Sequence, residues 1–447
     1  MSVLIKISDL SKRESEKIDK ELTIKPKVSP YQKFGSFQGQ EPPVKMYWTT
    51  PGVTRIPYFF SKCFFGKDLN SENTYPNIYD NPNGKFSGKL LDRQKEPFKK
   101  ALEYLKGQRT VTIALYPGFG KTFMGVMLAW YMNKKCCVLV HRENIGLQWV
   151  KTFKRYFQGL DEEIWFVNDK PPEKCRIMVS MDGRTDKIPD NWKEDVGLLI
   201  IDEAHCFCSK GKVKPMLSFQ PKYVIAETAT PEKDNGMERM IQMICGKHYI
   251  QKISEKPYYF FVVHTGLEYE IEGGGNVYQD LVEAQVGSEE RNEMILQILQ
   301  ENPERKAIVA SSRVGHCKKI AEGLVERGLE SSQLHSTIKN YQPKNILIGT
   351  GSKMGVGFDE ANFCDDFDGR PSDLLIMTYT FASWAPFEQV RGRGMRTDNP
   401  HVVVFHDSHP ITRKHLTKMR RWTRETNGII KEIYPDKMEG WNLESWK

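Results

Sequence analysis

The residues Tyr116-Pro117-Gly118-Phe119-Gly120-Lys121-Thr122 follow an apolar run, Thr110–Leu115, and open a helix-forming stretch. Glycines at such a junction let backbone N–H groups close around phosphate oxygens, and the helix N-terminus adds a favourable dipole. A lysine there can neutralise the β- and γ-phosphates, and the following hydroxyl can ligate Mg2+. Gly118, Phe119, Gly120, Lys121 and Thr122 are therefore candidates to hold a nucleoside triphosphate. The strict phosphate-loop pattern fails at its first position, which is Leu115, while its Gly-x-Gly-Lys-Thr core is intact. Taken alone, this segment also reads as a glycine-rich turn with a chance Lys-Thr pair.

A second candidate follows downstream. The apolar run Leu198-Leu199-Ile200-Ile201 ends in Asp202-Glu203-Ala204-His205. In phosphoryl transfer one carboxylate holds Mg2+ and the next can orient the attacking water. Asp202 suits the first role and Glu203 the second. Paired charges often end buried strands without any chemistry; the phosphate loop upstream is what gives this pair a purpose.

Positioning these groups requires an α/β framework. Leu91–Leu105 reads as an amphipathic helix, Thr110–Leu115 as a strand and Lys121–Met132 as a helix. Cys136–His141 reads as a strand, Ile145–Phe157 as a helix, and Arg176–Ser180, Gly197–Ile201 and Tyr223–Ala226 as strands. Fully apolar strands alternating with helices predict a parallel sheet covered on both faces. The pattern restarts with Lys306–Ala310, His316–Arg327, Asn345–Gly349, Asp373–Thr378, Pro386–Gly392 and His401–His406, after a joint near Gly246–Pro257. Gly273–Gly275 reads as a surface turn. Residues 1 to about 30 are expected to form a mobile arm or one short helix, and Tyr47–Phe65 short strands of a small β-rich accessory domain.

The acidic motif resembles the DEAH box of superfamily 2 helicases, and the rest of that family's series follows in order. Thr228-Ala229-Thr230-Pro231 resembles motif III, which couples the ATP site to the nucleic-acid groove. Gly357-Phe358-Asp359 resembles the G-x-D of motif V. Gln389-Val390-Arg391-Gly392-Arg393-Gly394-Met395-Arg396 matches the Q-x-x-G-R-x-x-R of motif VI. The resemblance implies an α/β chain of two tandem RecA-like parallel-sheet domains. Residues 89–247 would form the ATP-binding domain and 248–447 the second, after an accessory domain of residues 1–88. It implies ATP and Mg2+ as cofactors. Arg393 and Arg396 look like arginine fingers that meet charge developing on the γ-phosphoryl group, with Gln389, Gly357 and Asp359 beside them. Gln94 resembles the upstream glutamine that reads adenine; an ordinary helix-surface glutamine is the lesser alternative.

In the same family, motif Ia and its equivalents hold the nucleic-acid backbone. His141 and Arg142, then Ser180, stand at those places in the first domain; Ser311, Arg313 and Thr350 resemble motifs IV and V in the second. Such contacts position a strand without reading its sequence. Trp149 reads as core packing rather than a base-stacking platform. The stretch Arg413–Arg424 carries six Lys or Arg residues and no acid. Leu416, Met419 and Trp422 can dock one helical face, leaving Arg413 and Arg420 among the basic residues outward. That face is either merely solvated or a phosphate grip.

The overall pattern is most similar to compact helicases of large DNA viruses and phages, of the poxviral transcript-release and phage branch-migration types. Leu139-Val140-His141-Arg142 to Gln148-Trp149, Glu290-Arg291-Asn292 and the basic stretch carry this likeness; Leu115 and Glu227 depart from it. It implies an ATP-dependent motor on nucleic acid, DNA before RNA, working as a monomer. It also implies association with transcription or replication machinery, inside an infected cell's cytoplasm, virion or virus factory. An RNA-directed remodeller and an ATP-gated clamp are the rival readings. The formal charge of +8 suits a polyanion-binding protein. The nine scattered cysteines form no C-x-x-C pair, so they are expected to be reduced in an intracellular setting. Met1–Lys20 is charged throughout, and no run of about 18 apolar residues predicts a membrane span.

Overall fold

A computed structural model describes residues 2–26, 42–70, 73–83, 85–168, 170–229, 236–271, 277–336, 338, 340–355, 358 and 360–447. The chain divides into two compact units, one of Met1–Leu115 and Phe119–Lys252, the other of Tyr116–Gly118 and Ile253–Lys447.

The first unit is built on a seven-stranded sheet, all of whose neighbours run parallel. Its order is Tyr249–Lys252, Thr110–Leu115, Tyr223–Thr228, Leu198–Ile201, Cys136–Val140, Ile177–Met181 and Ile164–Phe166. Thr110–Leu115, Cys136–Val140 and Leu198–Ile201 are buried at every residue. That is what continuous apolar strands require when helices cover both faces. The helix Lys121–Met132 starts after Gly120 at φ 97° and ends at Asn133 at φ 45°. Both are left-handed conformations, at residue types that tolerate them.

The second unit repeats the architecture with another seven-stranded parallel sheet. Its order is Ser331–Leu334, Ile346–Thr350, Ala307–Ser311, Leu374–Met377, His401–His406, Tyr258–His264 and Gly428–Ile433. The helix Pro410–Glu425 buries Leu416, Met419 and Trp422, as the three-residue spacing predicts.

The amino-terminal region meets expectation in part, with one short helix and a small antiparallel sheet. Residues Ser2–Lys6 form a strand, paired antiparallel with Val53–Pro57, which also pairs with Trp48–Thr50. Lys12–Leu22 is a helix opened by a Ser11–Glu14 capping box. Val3, Ile18, Leu22 and Ile56 pack in one core with Leu199, Leu217, Phe219 and Ile244. The accessory region therefore shares the first unit's core. Ser2 stitches it down, its N–H donating to Phe219 O at 2.9 Å and its hydroxyl to Leu217 O at 2.8 Å. Tyr58–Phe65, expected as strand, is a helix ending at Gly66, φ 65°. Aromatic content favours strands locally, but here the segment packs on the helix Arg239–Cys245. Gly273–Gly275 lies outside the described residues.

Candidate active site

The phosphate loop leaves the strand Thr110–Leu115 at its carboxyl end, where parallel sheets place their ligands. Gly118 and Gly120 sit at φ 83° and 97°, so the loop takes turns that other residues resist. The Lys121 ammonium donates to Leu115 O at 3.1 Å. The position that departs from the strict pattern thus contributes its backbone. Phe119 is buried, with the Arg93 guanidinium 5.7 Å from its ring centre. Thr122 follows on the first helical turn, half-buried. Gln94 is 2% exposed, and both ends of its amide are engaged. Its Nε2 donates to Phe119 O at 2.9 Å and its Oε1 accepts from Leu91 N at 2.9 Å. Gln94 braces the loop from behind.

Asp202 ends the strand Leu198–Ile201, beside the strand Tyr223–Thr228 that separates it from the loop strand. Its Oδ1 accepts from Glu203 N at 2.8 Å and its Oδ2 from Trp149 Nε1 at 2.7 Å. Burial, then the neighbouring Glu203 charge, pushes its carboxyl up to about 6. Glu203 stands at φ 49°, ψ 52°. A left-handed backbone at a non-glycine residue costs energy and clusters at functional sites. His205 Nδ1 lies 3.0 Å from the Thr228 hydroxyl and 3.4 Å from Glu203 Oε2, which ties the acidic motif to the motif III strand. Thr228 is buried and Ala229 half-buried; Thr230 lies outside the described residues. Beside Asp202's partner Trp149 lies a third carboxyl, Glu227, fully buried and with no hydrogen-bond partner among the described residues. Burial, then Asp202, holds it well above the ordinary carboxylate range.

The other first-unit candidates differ in availability. His141 directly follows the strand Cys136–Val140 and is half-buried, with neither ring nitrogen hydrogen-bonded among the described residues. Burial, then Arg142, pushes it down to about 4. Arg142 is the N-cap of the helix Glu143–Tyr156. Ser180 is fully buried, and its hydroxyl donates to Met181 O at 2.9 Å.

In the second unit, Gln389, Arg391 and Arg393 are buried on the helix Trp384–Gly394. Arg393 donates to Met354 O at 3.1 Å, to Phe358 O at 2.5 Å and to Gly355 O. It therefore clasps the backbone of the motif V loop. Arg396 is half-buried just beyond the helix. Gly357 and Asp359 lie outside the described residues. Ser311 is 1% exposed. Asn292 Nδ2 donates to Val286 O at 3.0 Å, which orients its amide so that Oδ1 accepts from His316 Nε2 at 2.8 Å. Burial pushes His316 down to about 3, so the neutral ring accepts at Nδ1 from the Ser311 hydroxyl, 2.9 Å away. Ser311 Oγ in turn accepts Arg313 N–H at 3.2 Å. The hydroxyl is committed inward and holds the loop. Arg313 pairs with Glu283 at 2.5 Å. Thr350 is buried, its hydroxyl 3.2 Å from that of Ser352. Along the basic helix Arg413, Lys414, Arg421 and Arg424 are exposed, whereas Arg420 pairs with Glu432 at 2.6 Å.

Sequence reasoning did not assign Trp149, Glu227, His316 or Asn292 to the site. A Gln148-Trp149 pair on a helix and a glutamate inside an apolar strand were the visible signals; neither names a partner.

Residues 87–233 match the family model of the Type III restriction enzyme, res subunit. The chain is 25% identical over 410 residues to protein 161L of Invertebrate iridescent virus 6, named as a helicase, covering 84% of this chain and 89% of that one. It is 27% identical over 293 residues to protein D10 of Escherichia phage T5, also named as a helicase, covering 63% of each. Its fold is like that of S. cerevisiae Dbp5 bound to RNA and ADP BeF3, with TM-score 0.52 and 12% identity over 76% of this chain and 90% of that one. With the phosphate loop, the DEAH motif and motif VI in order on two parallel sheets, the chain carries the motif series of a superfamily 2 helicase, a nucleic-acid-dependent ATPase.

Proposed function

We propose that this helicase hydrolyses ATP to move along or remodel DNA, in viral transcription or replication. The observation that supports it best is the hydrogen bond between His205 and Thr228. Through it, a change at the Asp202–Glu203 pair reaches the strand leading to motif III.

The chain's own groups divide the work as follows. Lys121 leaves its backbone partner to neutralise the β- and γ-phosphates, and Gln94 keeps the loop's shape. Thr122 and Asp202 would hold Mg2+, for which hard oxygen donors fit. Mg2+ takes few protein ligands and keeps phosphate and water as the others. Glu203 orients the attacking water. Arg396 supplies the arginine finger, while Arg393, engaged with three backbone carbonyls, keeps the motif V loop in place. His141 and Arg142, with the exposed row of the basic helix, grip phosphates. DNA is favoured over RNA by the match to the Type III restriction enzyme model, since restriction is a reaction of DNA.

The test is steady-state ATP turnover with no polymer, single-stranded DNA, branched DNA or RNA, with Lys121→Ala as control. DNA is expected to stimulate turnover and Lys121→Ala to abolish it. Glu203→Gln should bind ATP without turning it over. Stimulation by RNA alone would move the track to RNA, and turnover indifferent to every polymer would favour an ATP-gated clamp.

A further inference from the structure

The carboxylate assigned to Mg2+ is itself held by a residue outside the phosphate loop and the acidic motif. Asp202 has one donor on each oxygen, Glu203 N–H at 2.8 Å and Trp149 Nε1–H at 2.7 Å. The first comes from the adjoining backbone and moves with Asp202. The second comes from another element, the helix Glu143–Tyr156, so among the described residues it is what fixes the side chain relative to the sheet.

The indole is in turn immobile. Trp149 is fully buried, and Asp202 is 6% exposed. A Cβ on Gly125 of the phosphate-loop helix would come within 2.6 Å of Trp149 Cη2 and 2.6 Å of Glu227 Oε1. The ring and the third carboxyl therefore meet over the bare face of that glycine. Phe153 packs beside the ring, centroids 5.8 Å apart. A clamped donor on a metal-ligating carboxylate sets its orientation and supports its charge, as outer-shell partners of metal ligands generally do. Without it, a buried oxygen next to Glu203 and Glu227 has lost the donor that the described residues outside its own segment supply.

We propose that Trp149 is a positioning residue of the ATP site, whose indole N–H holds Asp202 in the orientation that accepts Mg2+. This rests on the helicase reading, and it goes beyond the family's motif set.

The test uses the full chain with Trp149→Phe, and separately with benzothienylalanine at position 149, which replaces N–H by sulfur and keeps the shape. ADP affinity is measured by calorimetry with and without Mg2+. Metal-free affinity should stay within about twofold, because the loop and Lys121 are untouched. The enhancement of affinity by Mg2+ should fall about tenfold, the worth of one hydrogen bond to a charged group. In an Asp202→Asn background the Trp149 change should have no further effect. An unchanged Mg2+ enhancement in both variants overturns the proposal. So does an equal loss with and without Mg2+, which marks packing alone. A wild-type chain whose ADP affinity ignores Mg2+ would instead overturn the assignment of Mg2+ to Asp202, and a wild-type chain that binds no ADP would overturn the nucleotide-site reading itself.

Discussion

Arg291 and Asp407 are both fully buried, and their side chains meet at 3.2 Å. Arg291 lies on the capped helix Glu289–Glu301, and Asp407 directly follows the strand His401–His406. Arg291 also donates to Thr378 O at 2.8 Å and lies 5.1 Å from the Phe405 ring centre. Asp407 accepts further from Gln285 at 2.6 Å and Thr265 at 2.7 Å. The pair thus ties one helix to the ends of two strands. Removing one partner of a buried pair strands the other charge, at about 3–5 kcal/mol. Arg291→Met leaves Asp407 with two good neutral donors, so its cost should lie near the low end, about 3 kcal/mol. Asp407→Leu leaves the guanidinium with one carbonyl and an aromatic face, so it should lie near about 5 kcal/mol. The double variant strands no charge and should cost far less than the sum. Urea unfolding of the full chain, following the second unit's transition, measures all three. Single costs below about 1 kcal/mol, or simple additivity in the double variant, would refute the argument.

Stability should fall in acid for a stated reason. Burial pushes His141, His401, His406 and His415 down to about 4 and His316 to about 3. The unfolded chain takes up protons near pH 6.5, before the folded one. The lost stability therefore accrues between about pH 6.5 and 4, and His415→Gln should make the slope of melting temperature against pH shallower. Glu227 works in the opposite sense: its raised carboxyl costs nothing in acid, and its cost grows as pH rises above the ordinary carboxylate range. Glu227→Gln should thus stabilise the protein more at pH 7.5 than at pH 4; a melt showing the reverse order would count against a strained carboxyl. Neutralising Arg413, Lys414, Arg421 and Arg424 together should weaken nucleic-acid binding and flatten its log–log salt slope by about 0.7–0.9 for each phosphate no longer neutralised. An unchanged slope would make that row a solvated face.

Local chemistry sufficed for much of this protein. A continuous apolar run has one stable fate in a sheet covered on both faces, so the inner strands Thr110–Leu115 and His401–His406 were legible to the residue. So were the phosphate loop and the acidic pair, because their chemistry needs neighbours in sequence. The outer strands Tyr249–Lys252, Ser331–Leu334 and Gly428–Ile433 were not, since an edge strand is half-exposed and carries no apolar run. For Tyr58–Phe65 the aromatic composition pointed to strand, and a packing partner far along the chain made it helix. The amino-terminal strand and helix gained order from Leu217 and Phe219, again distant in sequence. The same separation hid the working partners of the site. Trp149 meets Asp202 across 53 residues, and Arg393 meets Phe358 across 35. Composition and spacing report what a residue can do. Which donor faces which acceptor is decided only when each sheet sets its own strand ends side by side, because hydrogen bonds act over about 3 Å and spacing in sequence does not measure that distance.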